Sequence, residues 1–339
     1  MRLASLALLP LHAVQLATGG KSFVDNPLIG SNRLNRWGLH TARVRLADRL
    51  ARWRRRRLAG AVPAAARAAF DRDGFVVIED FLPPETFAAL RERALTTPAP
   101  TREMTQGATI TRRQSLEAPP YRGDPAVARL LGDPRWTALL RYVGSFASRP
   151  LFYVQTILTH RDGGDADPQT ALHADTFHAT VKAWLYLTDV AIEDGPLCYV
   201  PGSHRVTPQR LAWERARSLS YAQAGRLSQR GSPRIAVDEL PALDLPPPRA
   251  LPVRANTLIV ADTFGFHARV AAARASTRIE VWAYGRRNPF WPWTGLDPLS
   301  LPGIAPRRVE WLWAAQDRLA RWFGQPWRDL GLRRAGDEL

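Results

Sequence analysis

Apolar residues at helical spacing dominate the first half of the chain. From Thr41 onward, Val44, Leu46, Leu50 and Trp53 recur at near-helical intervals among arginines, which predicts a basic amphipathic helix. Comparable patterns predict further helices over 63–73, 84–95 and 124–143. A run of apolar and β-branched residues between the first two of these predicts a strand over 75–82. The first half is therefore expected to be mainly helical.

In the second half of the chain, side-chain character changes with every second residue instead of repeating every three to four residues. In the segment 181–188, Lys182, Trp184, Tyr186 and Thr188 share one face of a predicted strand. Other strands are predicted over 152–158, 257–261 and 278–284, with a helical insert near 208–230 and a Pro-rich loop over 241–252. Helices followed by short strands predict an α+β, mainly β fold of the jelly-roll type, with N-terminal helices packed outside and a C-terminal helical extension.

These patterns divide the chain into three parts. Residues 1–60 form an N-terminal extension with the basic helix, residues 61–288 the main domain, and residues 289–339 a C-terminal extension rich in Trp and Arg. The last part contains half of the twelve tryptophans: Trp291, Trp293, Trp311, Trp313, Trp322 and Trp327. Such a segment suits packing over the barrel, contact with a membrane interface, or nucleic-acid binding, and its composition alone does not decide among them.

The charge of the chain is strongly positive. Its formal net charge is +16, and Lys21 and Lys182 are its only lysines. Clustered arginines over 52–57 and in the C-terminal extension attract polyanions, although a solvated surface with no partner explains them equally well. No motif that reads nucleic acid accompanies the charge, so no nucleic-acid partner is expected. The basic helix has two interpretations, packing on the domain or peripheral contact with an anionic membrane.

Composition also bears on the compartment. An apolar content of 45% is enough for a substantial core, and no stretch is apolar for the length of a bilayer. The start, 1–14, has one basic residue and no convincing cleavage site, so we expect mature sequence there. Cys198 is the single cysteine and is expected to be a buried structural thiol. We expect a cytoplasmic protein, or one peripheral at the inner face of the membrane; the sequence leaves its oligomeric state open.

Two short motifs predict a metal site. His173 and Asp175 are two residues apart and so point to the same side of an extended segment. His267 lies far along the chain, where a later strand of a jelly roll reaches the same barrel mouth. Two imidazoles and one carboxylate suit a non-haem Fe(II) centre with open positions, although zinc can use the same ligands. Arg278 follows His267 closely, and its guanidinium can pair bidentately with the carboxylate of a ligand.

The motifs around this site resemble those of the phytanoyl-CoA dioxygenase family. The resemblance runs from Phe70 to Arg286, through the runs 173–177, 182–190 and 195–204, of which the last reads Gly-Pro-Leu-Cys-Tyr-Val-Pro-Gly-Ser-His. It implies a cupin-like double-stranded β-helix that uses Fe(II), 2-oxoglutarate and O2. It implies that residues 61–288 form the dioxygenase domain, with His173, Asp175 and His267 as metal ligands and catalytic residues. Arg278 would then grip 2-oxoglutarate, and Gln155 would contact it.

Further polar residues are weaker candidates. Lys182 shares a face with Trp184 and Tyr186, so it is expected to point into the barrel and bind an anionic group, or else to lie at the surface. His160 and His178 line the mouth or are structural, and His204 is expected to fix a turn. Asp262 and Arg269 flank the distal histidine and are expected to support it by hydrogen bonds.

The function that these residues predict is hydroxylation of a small-molecule or lipid-type substrate, with release of succinate and CO2. The alternative is a non-catalytic jelly-roll protein that binds a metal or ligand and associates with anionic membrane surfaces. An arginine-rich nucleic-acid binder is a third and less favoured hypothesis. The sequence does not identify the substrate.

Overall fold

The N-terminal helices form a layer on the outside of the barrel. The computed structural model describes residues 9–159 and 167–337. Its first helices are α1 (Leu9–Leu16), α2 (Asn32–Arg36), α3 (Leu39–Leu58) and α4 (Ala64–Asp73). The predicted basic helix is α3, which buries Val44, Ala47 and Ala51 and exposes Leu46, so the apolar stripe lies one position away from the expected one. Predicted features of residues 1–8 lie outside the described residues.

Three further helices cover one face of the main sheet. They are α5 (Pro84–Thr96), α6 (Pro125–Gly132) and α7 (Pro134–Gly144). The single helix predicted over 124–143 is wrong in one respect, because Asp133 interrupts it. The Asp133 side chain accepts hydrogen bonds from the first amides of α7, and Pro134 occupies the first turn, where its missing N–H costs nothing.

The main sheet is antiparallel and has eight strands. In spatial order they are β1 (Phe75–Ile78), β8 (Leu258–Asp262), β5 (Val181–Tyr186), β10 (Thr277–Gly285), β4 (Leu151–Leu158), β3 (Thr109–Ser115), β2 (Ala99–Gln106) and β11 (Arg328–Arg333). A smaller antiparallel sheet has the order β7 (Arg249–Leu251), β6 (Leu197–Tyr199) and β9 (His267–Arg269). The two sheets, with the helices outside, confirm the predicted jelly-roll fold.

Alternation along the central strands separates a helix-packed face from a cavity-lining face. On β5, Ala183 and Leu185 pack under α5–α7 together with fully buried Leu90, Leu130 and Trp136. Trp184 and Tyr186 lie on the opposite face, in a second cluster of which half the residues are aromatic. The strand period of two therefore places the polar residues of β5 and β10 inside the barrel.

The β2–β3 hairpin and the last strand were not predicted. Buried positions of β2 carry Thr, Arg and Glu, and those of β3 carry Thr, Arg and Gln, so both strands lack the apolar alternation that marks a half-buried strand. Arg112, for example, pairs with Glu103 at 3.0 Å across the hairpin. β11 follows α10 (Arg308–Phe323) and pairs with β2 at the edge of the sheet. The Trp-rich C-terminal extension thus packs on the barrel and extends its main sheet.

Other predicted boundaries also change. The strand predicted over 75–82 ends at Ile78, because Asp80 adopts a positive φ of 46° and turns the chain. The helical insert is α8 (Pro208–Ser220) followed by the short α9 (Arg226–Gln229). The predicted Pro-rich loop contains the end of a 3-10 helix, Val237–Leu243, and strand β7. Within the described ranges, no helix is long and apolar enough to cross a membrane.

Candidate metal centre and cavity

The two histidines are brought together by backbone pairing. His173 forms an antiparallel bridge with His267, with N···O distances of 3.0 and 2.9 Å between their main chains. Asp175 is held by its amide, which donates to the carbonyl of Thr263 at 2.9 Å. The approach to His267 requires Gly265, because a Cβ there would lie 1.8 Å from the Tyr199 hydroxyl. Two segments that are distant in sequence therefore bring the three residues together at the barrel mouth.

Their ligand atoms converge on one point. One atom from each of His173, Asp175 and His267 lies within 4.8 Å of the other two, and each Nε2 is 3.8 Å from Asp175 Oδ1. The Nδ1 atoms face the carbonyls of Ala171 at 2.8 Å and Gly265 at 3.0 Å. Because a carbonyl only accepts, Nδ1 carries the proton in each ring and Nε2 presents its lone pair to the centre. His267 Nε2 is buried without a hydrogen-bond partner.

Electrostatics favour the metal-binding protonation states. Burial, with the neighbouring His267, holds the pKa of His173 well below its ordinary value, and burial lowers the pKa of His267 to about 4. Burial alone would raise the pKa of Asp175, but Lys182 and the two imidazoles hold it below its usual range. At neutral pH the cluster therefore has two neutral imidazoles and one carboxylate, the forms in which these groups bind metals.

Lys182 points into the barrel, as one of the two sequence hypotheses holds. Its Nζ lies 2.7 Å from Asp175 Oδ2. The anionic group that it meets in the described chain is thus the candidate metal ligand itself.

Arg278 also faces inward and is buried. Its Nη1 donates to the carbonyl of Gly195 at 2.8 Å, and its Nε lies 3.0 Å from Glu280 Oε2. The contact with Glu280 lacks hydrogen-bond geometry, since both atoms are without a hydrogen-bond partner. The guanidinium is therefore close to a carboxylate but poorly aligned with it, which leaves it able to bind a better-placed anion.

Gln155 lies at the middle of a buried polar network. Its Nε2 donates to Glu280 Oε1 at 2.7 Å, and its Oε1 accepts from Arg113 Nε at 2.8 Å. Register explains the first contact, because Gln155 and Glu280 are directly opposed on β4 and β10. The network connects Gln155 to Arg278 through Glu280.

A cavity of about 470 Å³ opens beside these residues. Its wall includes all six predicted site residues: Gln155, His173, Asp175, Lys182, His267 and Arg278. Aromatic side chains supply much of the rest, namely Tyr153, Trp184, Tyr186, Trp282, Tyr284, Trp313 and Trp327. Its volume falls in the range of small-molecule sites.

Several weaker candidates have other roles. Buried His178 bonds to the carbonyl of Ala179 at 2.9 Å, and His204 packs on Phe70 with ring centroids 5.1 Å apart; neither lines this cavity. His160 lies outside the described residues. The side chains of Asp262 and Arg269 do not bond to His267, since Asp262 pairs with Arg55 at 2.7 Å and Arg269 with Asp167 at 2.6 Å. The main-chain carbonyl of Asp262 accepts from the amide of Gly265 at 3.1 Å. The carbonyl of Gly265 provides that support instead.

Three residues of the site were missed by sequence reasoning. Glu280 lies two positions after Arg278 on the same face of β10, so the strand period could have found it. Arg113 belongs to the unpredicted hairpin, and Lys21 to the N-terminal extension. Cys198 is half-buried rather than buried, and burial raises the pKa of its thiol to about 11, which suits an unreactive side chain.

Fold and site together define a jelly-roll protein with a His–Asp–His centre at the barrel mouth. The family model described as phytanoyl-CoA dioxygenase (PhyH) matches residues 70–259, more than half of the chain. The chain belongs to this family, which confirms the resemblance found in its motifs. His267 and Arg278 lie just beyond the matched residues, and the geometry above brings them to the site.

One curated relative is the ectoine dioxygenase of Sphingopyxis alaskensis. It is 28% identical over 159 residues, which cover 42% of this chain and 51% of that enzyme. The chain thus spans about half the length of the curated relative that it matches.

Similar solved structures include those of SnoN and HygX. The epimerase SnoN, in complex with Fe3+, alpha ketoglutarate and nogalamycin RO, is 23% identical with a TM-score of 0.43 over 69% of this chain and 92% of that chain. HygX from Streptomyces hygroscopicus, with nickel and 2-oxoglutarate bound, is 22% identical with a TM-score of 0.41 over 66% and 87%. Likenesses this distant leave the substrate unassigned.

Proposed function

We propose that the protein is an Fe(II)- and 2-oxoglutarate-dependent dioxygenase that hydroxylates a small-molecule or lipid-type substrate. The net reaction converts 2-oxoglutarate, O2 and a substrate C–H bond into succinate, CO2 and an alcohol, so no other reductant is needed. One observation carries the proposal: the ligand atoms of His173, Asp175 and His267 lie within 4.8 Å of one another beside a cavity of small-molecule size.

The donor set fits Fe(II). Two imidazoles and one carboxylate are ligands that divalent iron accepts, with positions left open for reactants. The buried His267 Nε2 has no hydrogen-bond partner, and a bound cation would satisfy it. His173, Asp175 and His267 would hold the ion, and the backbone carbonyls at their Nδ1 atoms keep both rings oriented. Iron bound there would supply the activation of O2 for C–H hydroxylation.

The cosubstrate is assigned to the polar end of the cavity. We propose that Arg278 pairs with the distal carboxylate of 2-oxoglutarate, because its guanidinium is buried and poorly aligned with Glu280. Gln155 would orient this arginine through Glu280, and Lys182 would contribute positive charge beside Asp175. In this proposal, residues 61–288 hold the dioxygenase machinery and the two extensions shape the substrate side.

The metal assignment is tested by anaerobic titration with Fe(II) and 2-oxoglutarate, followed by addition of O2. The wild type is expected to develop a visible charge-transfer band and to form succinate. Asp175→Ala should lose the band and more than about 100-fold of the succinate rate, because a ligand costs at least as much as its supporting partners. Asp238→Ala, at an exposed carboxylate, is the matched control. Undiminished turnover in Asp175→Ala removes the metal assignment.

The alternative is a non-catalytic protein that binds a metal or ligand. It is favoured by the internal pairing of Lys182 with Asp175 and the proximity of Arg278 to Glu280, which leave the site self-contained without reactants. Calorimetry with Ni(II) and 2-oxoglutarate, then O2 consumption with Fe(II), separates the two hypotheses. Binding without O2 consumption supports the alternative.

We also propose that the protein works in the cytoplasm with one face against an anionic membrane. On α10, Trp311 and Trp322 are exposed, and so is Leu296 on the segment before it. Arg321 stacks on Trp322 at 3.8 Å, which combines an aromatic ring and a cation as membrane interfaces favour.

Sedimentation with phosphatidylglycerol and phosphatidylcholine vesicles tests this contact. Binding to the anionic vesicles is expected to fall in the double variant Trp311→Ser and Trp322→Ser. Trp37→Ser, which changes an exposed tryptophan on another part of the surface, is the control. A wild type that stays in the supernatant with phosphatidylglycerol at low salt rules the contact out.

A further inference from the structure

Both chain extensions build the wall of the cavity. Lys21 comes from the N-terminal extension, and Leu312, Trp313, Gln316 and Trp327 come from the C-terminal one. All five lie outside the residues that match the family model. The extensions therefore supply part of the cavity wall outside the matched residues.

Lys21 is held in place by several independent contacts. Its Nζ donates to the carbonyl of Asp175 at 2.5 Å. Arg43 on α3 donates to the carbonyls of Leu16, Thr18 and Gly20 at 2.6–3.2 Å. At the end of β10, Arg286 donates to the carbonyl of Gly19. These contacts fix the segment that carries Lys21 against the barrel mouth. They therefore hold its ammonium group beside the candidate metal centre.

The wall of the cavity is rich in cations. Three of them have a carboxylate partner: Lys182 with Asp175, Arg269 with Asp167 and Arg278 with Glu280. Four others line the cavity with no carboxylate within 4 Å in the described ranges: Lys21, Arg113, Arg234 and Arg286. Asp175 is the single acidic residue among the described residues of the wall.

Three of these unpaired cations lie close to Asp175 along the cavity wall. Lys21 donates to the carbonyl of Asp175 at 2.5 Å, and Arg234 forms an antiparallel bridge with His173. Arg286 donates to the carbonyl of Gly19, two residues before Lys21. Arg234 is oriented by Ser232, whose carbonyl and hydroxyl oxygens both lie 2.8 Å from its Nη1. None of these neighbours neutralises the cations.

Aromatic rings form the other side of the cavity. Arg113 lies 4.0 Å from the ring centroid of Trp282 and 4.7 Å from that of Trp327. Trp313, from α10, packs near Tyr153 with ring centroids 6.4 Å apart. This wall suits an apolar or aromatic body better than a fully polar one.

The charges of the proposed reactants do not neutralise the excess positive charge of the cavity wall. Fe(II) and 2-oxoglutarate carry opposite charges of two units, so together with the described residues they leave the four unpaired cations uncompensated. Cations grouped in a partly buried cavity are unfavourable unless an anion joins them. We infer that the substrate bears an anionic group, carboxylate or phosphate, bound by Lys21, Arg234 and Arg286, on an apolar body that contacts the tryptophan wall. The inference rests on the proposed function only in treating the bound molecule as a substrate. The anion-binding site itself does not depend on that function.

The test uses three probes with the same six-carbon chain: hexyl phosphate, hexanoate and hexanol. Binding to the full chain is followed by calorimetry and by quenching of tryptophan fluorescence, with and without Ni(II) and 2-oxoglutarate. At least one anionic probe is expected to bind about tenfold more tightly than hexanol, as a charge-assisted contact would give. Preference between hexyl phosphate and hexanoate identifies the head group.

Variants assign the effect to the named residues. Lys21→Gln and Arg286→Gln should each weaken the anionic probe at least about fivefold while leaving hexanol unchanged. Lys21→Arg keeps the charge and should retain most of the affinity. Arg254→Gln, at an exposed arginine away from the cavity, is the control. Circular dichroism of each variant verifies its fold.

Equal affinity for the three probes, or anionic binding that both glutamine variants retain, overturns the inference. Failure of the proposed function looks different, because Ni(II) and 2-oxoglutarate would then not bind while the metal-free protein still prefers the anionic probe.

Discussion

Lys182 determines the charge balance at the candidate metal centre. Its ammonium lies 2.7 Å from Asp175 Oδ2 and helps to hold the pKa of that carboxyl low. The contact keeps the carboxylate ionised, but it also sets a positive charge where a divalent cation must come close. Because like charges repel strongly in a partly buried site, an incoming ion has to compete with this lysine.

We expect Lys182→Met to bind Ni(II) more tightly than the wild type, by at least about threefold, because it removes that repulsion. Calorimetric titration of the metal-free protein measures the change. Lys182→Arg, which keeps the charge, should not gain affinity. Weaker binding by Lys182→Met would mean that the lysine chiefly orients Asp175.

His204 is buried away from the metal centre and is held neutral. Burial lowers its pKa to about 3, and nearby Arg55 acts in the same direction. The unfolded chain binds a proton at this histidine near pH 6.5, whereas the folded protein does not until a much lower pH. Its contribution to stability is therefore complete above about pH 6.5 and is lost as the pH falls from there toward 3.

As the pH falls below 6, the free energy of unfolding of His204→Gln should decrease less steeply than that of the wild type. The slopes of the two plots of free energy against pH are expected to differ by about 1.4 kcal/mol per pH unit, the value for one proton. Urea unfolding at several pH values from 7.5 to 4.5 gives both curves. Parallel curves would contradict a neutral buried His204.

Some residues of the candidate site could be predicted from the sequence, and others could not. His173 and Asp175 form a recognisable short motif, and Arg278 follows His267 at a spacing that the family resemblance makes informative. Glu280 and Arg113 carry no such motif; their importance comes from facing Gln155 across the sheet. Cross-strand partners depend on register, which one sequence does not specify for strands of mixed polarity.

At the scale of elements, α3 is a helix whose arginines are used inside the protein. Arg54 is almost fully buried and donates to the carbonyls of Ser145, Pro289 and Trp291. Arg55 pairs with Asp262. These contacts support the interpretation that the helix packs on the domain, and they connect it to the start of the C-terminal extension.

Replacing Arg54 by Met should lower the free energy of unfolding by roughly 3 kcal/mol, because three buried carbonyls lose their donor. Arg52→Met on the same helix is the matched control, since Arg52 is exposed and pairs only with Asp48. The control should change stability by less than about 1 kcal/mol. Equal stability of the two variants in urea unfolding would show that the Arg54 contacts contribute little.

Elements with apolar periodicity were predicted well, and polar strands were not. β4, β5, β8 and β10 are continuous runs of apolar residues or alternate clearly, so their positions followed from the sequence. β2 and β3 bury charged and amide side chains that satisfy one another across the hairpin, as Arg112 does with Glu103. Such strands look like exposed loops until their partners are known.

At the scale of the whole molecule, the C-terminal extension completes the barrel. The carbonyl of Arg333 accepts from Gln114, that of Ala335 from Thr156 and that of Asp337 from Arg112, at 2.6–2.8 Å. Buried polar groups of the hairpin and β4 thus find their partners in the last residues of the described chain. The composition of this segment left packing and membrane contact open, because neither its tryptophans nor its arginines specify a strand.

A chain that ends at Gly324 should therefore be less stable and prone to associate. Its melting temperature is expected to fall by at least roughly 5 °C, since several buried polar groups lose partners, and its exposed β2 edge can pair with another copy. Calorimetry and size-exclusion chromatography measure the two effects. Arg328→Gln in the full chain, at an exposed side chain of β11, is the control. An unchanged melting temperature and a single monodisperse species would contradict a structural role for β11.

The pairing of β2 with β11 also has a consequence for biosynthesis. β11 is the last strand of the sheet to leave the ribosome, whereas β2 is among the first. At ordinary translation speeds, roughly ten to forty seconds pass between the two. A hairpin that forms during that interval would present an open edge to other chains until synthesis delivers its neighbour.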